Sequence, residues 1–343
     1  MTELLSPEQC RPRMSKPRPP HRRVLLCVLL SMQAICGLWA DRTARAQLPS
    51  PSGQSSPAPV FDIWQQDLLR WRAARAKEVD APDGWLTLVG LEWLNAGSNT
   101  VGSATDNLVH LPAPAPDHLA VLNVTGNTVS LAAPAAGFPA DLQLDGKPAS
   151  AGPLTVEGTK PSVLTWRSMT FLVLNRGGRY TLRIKDSDSP ARAAFHGLNW
   201  YPPDKHFRVE ARWIPYTPPH IEKIPTVIGT VLELPSPGVA EFTLDGKTIR
   251  LEPVIEASEH NTLFFILRDQ TRYDSTYEAA RFLHTGLPDH GLDRPGTLSL
   301  DFNKLENPPC AYTPFATCPL PPESNRLLIQ LQAGEKRYLS TAQ

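Results

Sequence analysis

The sequence predicts an all-β protein: an N-terminal helix plus a β-sandwich, followed by a second β-sandwich or barrel-like unit. Three observations predict it. Hydrophobic residues alternate with a period of two from Gly84 onward, short strand-like runs are separated by Gly, Asn and Pro, and no long helical pattern follows residue 80. A length of 343 residues suggests about two domains, and 41% hydrophobic content is enough for a buried core.

The elements follow in chain order. Arg22-Arg23 precedes an apolar run from Val24 to Leu30, and Ala44-Arg45-Ala46 offers a small-x-small cleavage site. Residues 1–46 are therefore expected to be a signal peptide cleaved near Ala46, giving an exported protein, periplasmic or secreted. Residues 47–59 (QLPSPSGQSSPAP) are expected to be a disordered linker. Phe61, Trp64, Leu68 and Trp71 recur at helical spacing, which places Arg70, Arg72, Arg75 and Lys77 on or toward the wet side. Pro82-Asp83-Gly84 stops that helix.

Hairpins are expected over 119–131 around Thr125-Gly126-Asn127, and over 163–184 around Arg176-Gly177-Gly178. Further strands are expected at 208–214, 227–234, 241–251, 262–267, 297–302 and 326–331, with short helices near 189–196 and 276–284. Asp145-Gly146 and Asp245-Gly246 give two segments a similar look, which one hairpin turn type explains. The polar, Pro-punctuated stretch 186–205 separates a first unit, 60–185, from a second, 205–340.

Composition bounds the partners. The chain has 34 basic and 34 acidic residues, but the first 46 hold eight basic and three acidic ones. The remainder keeps 26 against 31, a mildly acidic balance that argues against nucleic-acid binding. Three of the five cysteines lie in the first 46 residues, leaving Cys310 and Cys318. In an oxidising compartment this pair reads first as a structural disulfide, closing a loop of about nine residues for roughly 2.5 kcal/mol. A thiolate nucleophile at Cys310 or two free thiols are the alternatives. No metal site or cofactor is expected, because the nearest histidines, His284 and His290, stand well upstream of the pair.

Residues 301–338, DFNKLENPPCAYTPFATCPLPPESNRLLIQLQAGEKRY, together with GWLTLVGLEWL (84–94), Asn99-Thr-Val-Gly102, Arg208-Val-Glu-Ala211, Asp269-Gln-Thr271, Thr276-Tyr277 and Arg281-Phe-Leu283, resemble the uncharacterised family called domain of unknown function 1684. The resemblance covers about residues 60–340 and implies no activity. The stretch 99–112 is similar in cadence to the forkhead-associated domain. Gly102-Ser103 stands where that family has its phosphate-reading Gly-Arg, so only a β-sandwich is implied.

Candidate site residues come from polar groups set in apolar text. Arg208 and Arg281 invite a planar anionic partner, which could be Asp269 or Asp301, or a ligand. Thr271, Tyr277, Asn303, Asn307 and Tyr312 would add hydrogen-bonding groups. The expectation is a polar pocket of the second unit, beside the Cys310–Cys318 loop, that binds a small anionic or polar molecule. A hydrolase using Asp301 or Cys310 is the alternative, and an envelope interaction or scaffold protein the second. No Gly-x-Ser-x-Gly elbow, His-Glu-x-x-His or phosphate loop occurs in the sequence. No transmembrane segment is expected after signal cleavage, and the oligomeric state is open.

Overall fold

The structure is a computed structural model that describes residues 62–156, 158, 160–256 and 261–339. The expected signal peptide, the linker and Phe61 lie outside the described residues.

The helix runs from Ile63 to Val79. Asp62 accepts from the Gln65 backbone while the Gln65 side chain returns to the Asp62 N–H, so two orphan donors are satisfied at its start. Its inward stripe is Leu68, Arg72, Arg75 and Val79. This corrects the expected wet side: Arg72 and Arg75 are only 8% and 5% exposed. The physical reason is remote, since the partners that admit Arg75 to the interior stand more than 200 residues later.

The first β unit is a sandwich. One sheet has the order Leu88–Trp93, Arg179–Asp186, Met169–Arg176, Val163–Trp166, Gln143–Leu144, Lys147–Pro148. The other has the order Val109–His110, Gly97–Gly102, Ala120–Thr125, Thr128–Ala132, Gly152–Leu154. Phe171, Val173, Leu182 and Ile184 of the first sheet share one core with Val101, Leu122, Val129 and Leu131 of the second. Asp145 and Asp245 both take positive φ ahead of a positive-φ glycine, as the shared turn type requires.

The second unit is built on an antiparallel sheet, ordered Lys247–Leu251, Val231–Leu244, Arg208–Pro225, Gly296–Asp301. A two-stranded ribbon, Leu263–Leu267 with Arg281–Thr285, packs on it. Leu263, Phe265 and Leu267 of the ribbon face Trp213, Phe242 and Leu300 of the sheet. The ribbon's other side, Phe264, Ile266 and Phe282, is covered by Leu88, Ile224, Ala316 and Cys318. Strand Leu263–Leu267 is therefore apolar at every position, as a strand buried on both faces must be. None of these sheets closes into a barrel.

Two local expectations are corrected. Residues 326–331 form no strand beyond a single bridge from Arg326 to Arg268, because Pro321, Pro322 and the 323–325 turn set the chain on a looping course. The expected helix near 276–284 is instead the strand Arg281–Thr285, whose Phe282 and Leu283 face opposite cores. Among the described residues no helix is long and apolar enough to cross a membrane.

Candidate functional site

The strands Met169–Arg176 and Arg179–Asp186 form a hairpin whose two faces have different owners. Phe171, Val173, Leu182 and Ile184 point into the sandwich core. The alternate residues, Leu172, Leu174, Arg176, Thr181 and Arg183, share the opposite face, since Leu172 pairs with Arg183 and Leu174 with Thr181. A lone sandwich would leave that face in water. Here the far half of the long hairpin 208–244 and the disulfide loop come over it.

The two hairpin tips meet. A Cβ added at Gly177, whose φ is +61°, would lie 3.3 Å from the Thr230 methyl. Between the tips opens a crevice of about 450 Å³ lined by Trp85, Arg176, Arg183, Thr226, Thr230 and Leu232. Its floor is Phe264, Phe282, Ala316 and Cys318, and its far wall carries Arg75, Glu78, Glu256, His284 and Glu306.

Arg183 is the unusual member. Its Nε is buried with no hydrogen-bond partner, and the same is true of Arg176 Nε. Among the described residues no carboxylate pairs with either guanidinium. Arg176 donates from Nη1 to the Asn175 carbonyl at 3.0 Å, and Arg183 lies 5.8 Å from the Trp85 ring. Burial pushes Arg183 down to about 10, and the like charge of Arg176 adds to the shift. Burial lowers Arg176 too. Two half-buried cations that repel one another are an arrangement an anion would relieve.

The far wall is the opposite case, a fully engaged ion cluster. Arg75 Nε lies 3.2 Å from both Glu306 and Glu335, its Nη1 is 3.1 Å from Glu78, and its Nη2 donates to the Asn307 carbonyl at 3.1 Å. Burial works against the Arg75 charge, but Glu306, Tyr312 and Glu335 hold its pKa above the usual guanidinium value. Glu335, completely buried, also accepts from the Asn307 N–H at 2.7 Å and the Tyr312 hydroxyl at 2.8 Å. Burial pushes the Glu335 carboxyl up, with Arg75 opposing. The Tyr312 hydroxyl is held well above its usual range by burial and by Glu335. His284, stacked on Phe264 at 4.5 Å, lies between Glu306 (3.6 Å) and Glu256 (3.9 Å).

The expected site residues divide among several places. Arg281 is buried and spends its guanidinium on Asp269 at 3.0 Å and on the carbonyls of Leu331, Ala333 and Glu335. Asp269 also accepts from Thr271 and the Leu331 N–H. This trio pins the C-terminal segment to the ribbon; both terminal nitrogens of Arg281 are spent on it, and its unpartnered Nε is buried in the interior, lining neither hollow. Asn303 clips the Asp204 backbone through both amide atoms. Asp301 caps the 302–304 turn and accepts from Trp64 Nε1 at 2.8 Å. With Arg208 it lines a separate hollow of about 620 Å³ below the helix start. Tyr277 lines neither hollow. Asn307 and Tyr312 serve the cluster around Glu335. Cys310 and Cys318 are paired as a disulfide, so Cys310 offers no thiolate in this state, and Cys318 lines the crevice floor.

Arg176 and Arg183 were not among the expected residues. The available signal was the unbroken apolar run Phe171-Leu172-Val173-Leu174: a strand apolar on both faces is covered on both, so Arg183 across from Leu172 could not be facing open water.

A family model described as "Protein of unknown function (DUF1684)" matches residues 193–336. The solution structure of an uncharacterized protein of Haloarcula marismortui is 33% identical over 42% of this chain and 78% of that one, with a TM-score of 0.37. No curated protein matches.

Proposed function

Since the chain belongs to the DUF1684 family of proteins of unknown function, whose name carries no activity, we propose its role from geometry: it binds a small organic anion in the crevice between the two hairpin tips. One observation carries this reading, the pair Arg176 and Arg183, half-buried and without a carboxylate partner among the described residues. The guanidinium groups would take the anionic end, the Thr226 and Thr230 hydroxyls would add hydrogen bonds, and Trp85, Phe264 and Phe282 would hold an apolar body. Binding is favoured over hydrolysis by Asp301 or Cys310, because both Asp301 oxygens are engaged and Cys310 is in a disulfide.

The test is thermal unfolding of the full chain with phosphate, sulfate, benzoate and phenyl phosphate. An anion that binds should raise the melting temperature by a few degrees through mass action. Arg183→Gln should abolish the shift, whereas Arg208→Gln, in the other hollow, should keep it. An unchanged response in Arg183→Gln, or no response in the native chain, sinks the proposal.

Export belongs to the same proposal. It is supported by the Arg22-Arg23 start, the apolar run and Ala44-Arg45-Ala46, with the Cys310–Cys318 disulfide as a minor second support. Intact mass of the protein recovered from the cell envelope or medium should place its N-terminus at Gln47. A full-length mass would reject cleavage.

A further inference from the structure

The strand Arg208–Pro225 is not regular. Its pairing with Val231–Leu244 slips between Pro215 and His220, where four residues on one strand face only Pro237 on the other. Such a bulge re-aims the side chains that follow it, and Pro215, Pro218 and Pro219 make this one stiff. His220 and Glu222, two apart, then project on one face of the strand. Glu252 reaches the same point from just beyond Lys247–Leu251. Nε2 of His220 lies 3.2 Å from Glu222 Oε2 and 3.6 Å from Glu252 Oε2, and the three donor atoms all lie within 4.8 Å of one another.

We propose that His220, Glu222 and Glu252 form a binding site for a divalent transition-metal cation, at the bulge of the long hairpin. A tetrahedral zinc ion with ligand distances of about 2.0–2.2 Å places its donors about 3.3 Å apart. Two of the donor separations already bracket that value, and rotation of the glutamate side chains can close the third. An imidazole Nε2–H is a single donor. It can serve one of the two carboxylates, and the Tyr216 hydroxyl also hydrogen-bonds Glu252, but a cation bound through a lone-pair imidazole nitrogen engages the ring and offsets both carboxylate charges at one point. The neighbouring guanidinium cannot substitute, because Arg250 is committed to Glu241 at 2.7 Å.

The ligands are also supported from behind. Asn325, fully buried, donates to the Glu252 carbonyl and accepts from the Glu252 N–H, both at 2.8 Å, which fixes the root of that side chain. The Tyr216 ring packs on the His220 ring at 4.7 Å. Support of this kind is what holds a ligand set in place. The expectation of no metal rests on the distance of His284 and His290 from the cysteine pair and leaves His220 and Glu252 unconsidered, since they stand 32 positions apart in the chain.

Zinc titration by calorimetry, on full-length protein stripped with chelator, tests the site. The native chain should bind one more Zn²⁺ than His220→Ala does, and Glu252→Gln and Glu222→Gln should weaken that site roughly tenfold or more. Co²⁺ should give a visible d–d band that His220→Ala removes. His206→Ala, which disrupts a surface pair with Asp245, should change neither readout. All four side chains are partly exposed, so circular dichroism should report unchanged folding. The proposal is overturned if the native chain shows no saturable zinc binding, or if His220→Ala and Glu252→Gln bind with native stoichiometry and affinity.

Discussion

Arg72 and Arg75 stand less than one turn apart on the same helix stripe, and their surroundings are opposite. Arg75 is met by Glu306, Glu335 and Glu78. Arg72 has two buried nitrogens without a partner and rests 4.7 Å over the Trp200 ring. Removing Arg75 strands the buried Glu335 carboxylate, so Arg75→Ala should cost about 3–5 kcal/mol in urea unfolding. Arg72→Met should stay within about 1 kcal/mol, because an imperfectly satisfied charge gives way to a flexible apolar chain. Equal losses would show that both arginines are held alike. Glu335 adds a pH signature. Burial raises its pKa above the unfolded value, so the folded state holds the Glu335 proton to a higher pH than the unfolded state does. That contribution is complete below the unfolded carboxyl pKa and is lost as pH rises through the folded one. Compared with Glu335→Gln, the native chain should therefore gain melting temperature between pH 7.5 and pH 5, and a relative loss over that range would reverse the sign. None of this could be read from the helix text. Periodicity sorts residues by type, and an arginine counts as wet until a partner some 230 or 260 positions away is known.

Elements with a local cause were the legible ones. The helix, the turns at Gly126, Gly146, Gly177 and Gly246, and the strands 169–176, 179–186 and 263–267 follow from a cap, a positive φ or a two-residue period. The long hairpin 208–244 was less legible. Its prolines look like strand ends at 215, yet the chain bulges past them and resumes pairing at His220. The candidate site depends on how that hairpin meets its neighbour, and contact between two tips leaves no mark in either sequence. The register of the tips can be tested at Gly177. Its φ is costly for a side chain, and a Cβ there would press on the Thr230 methyl at 3.3 Å, closer than an ordinary contact. Gly177→Val should lower stability by more than about 1 kcal/mol and weaken the anion response. A fully stable variant with a native anion response would detach the crevice from this contact.

At the scale of the whole molecule, two large cores are joined through smaller ones. The sandwich core and the core of the second unit are distinct, and the cluster around Leu88, Ile224, Phe264 and Cys318 connects strand Leu88–Trp93 to the ribbon and the disulfide loop. Thr313 Oγ1 donates to the Leu88 carbonyl and Ser189 Oγ to the Leu86 carbonyl, fastening the same seam. The crevice lies along that seam: Arg176 and Arg183 belong to the sandwich, while Phe264, Phe282 and Thr226 belong to the second unit. A ligand held by both sides stabilises both against opening, so its free energy must appear on both. Hydrogen exchange read by mass spectrometry should show a stabilising anion slowing amides of the hairpin Met169–Asp186 and of the ribbon strand Leu263–Leu267 together. At a concentration of 100 Kd the added protection is limited to about 2.7 kcal/mol. Protection confined to the hairpin would mean that the arginines bind the anion at the surface. Protection confined to the ribbon would mean that they do not bind it at all.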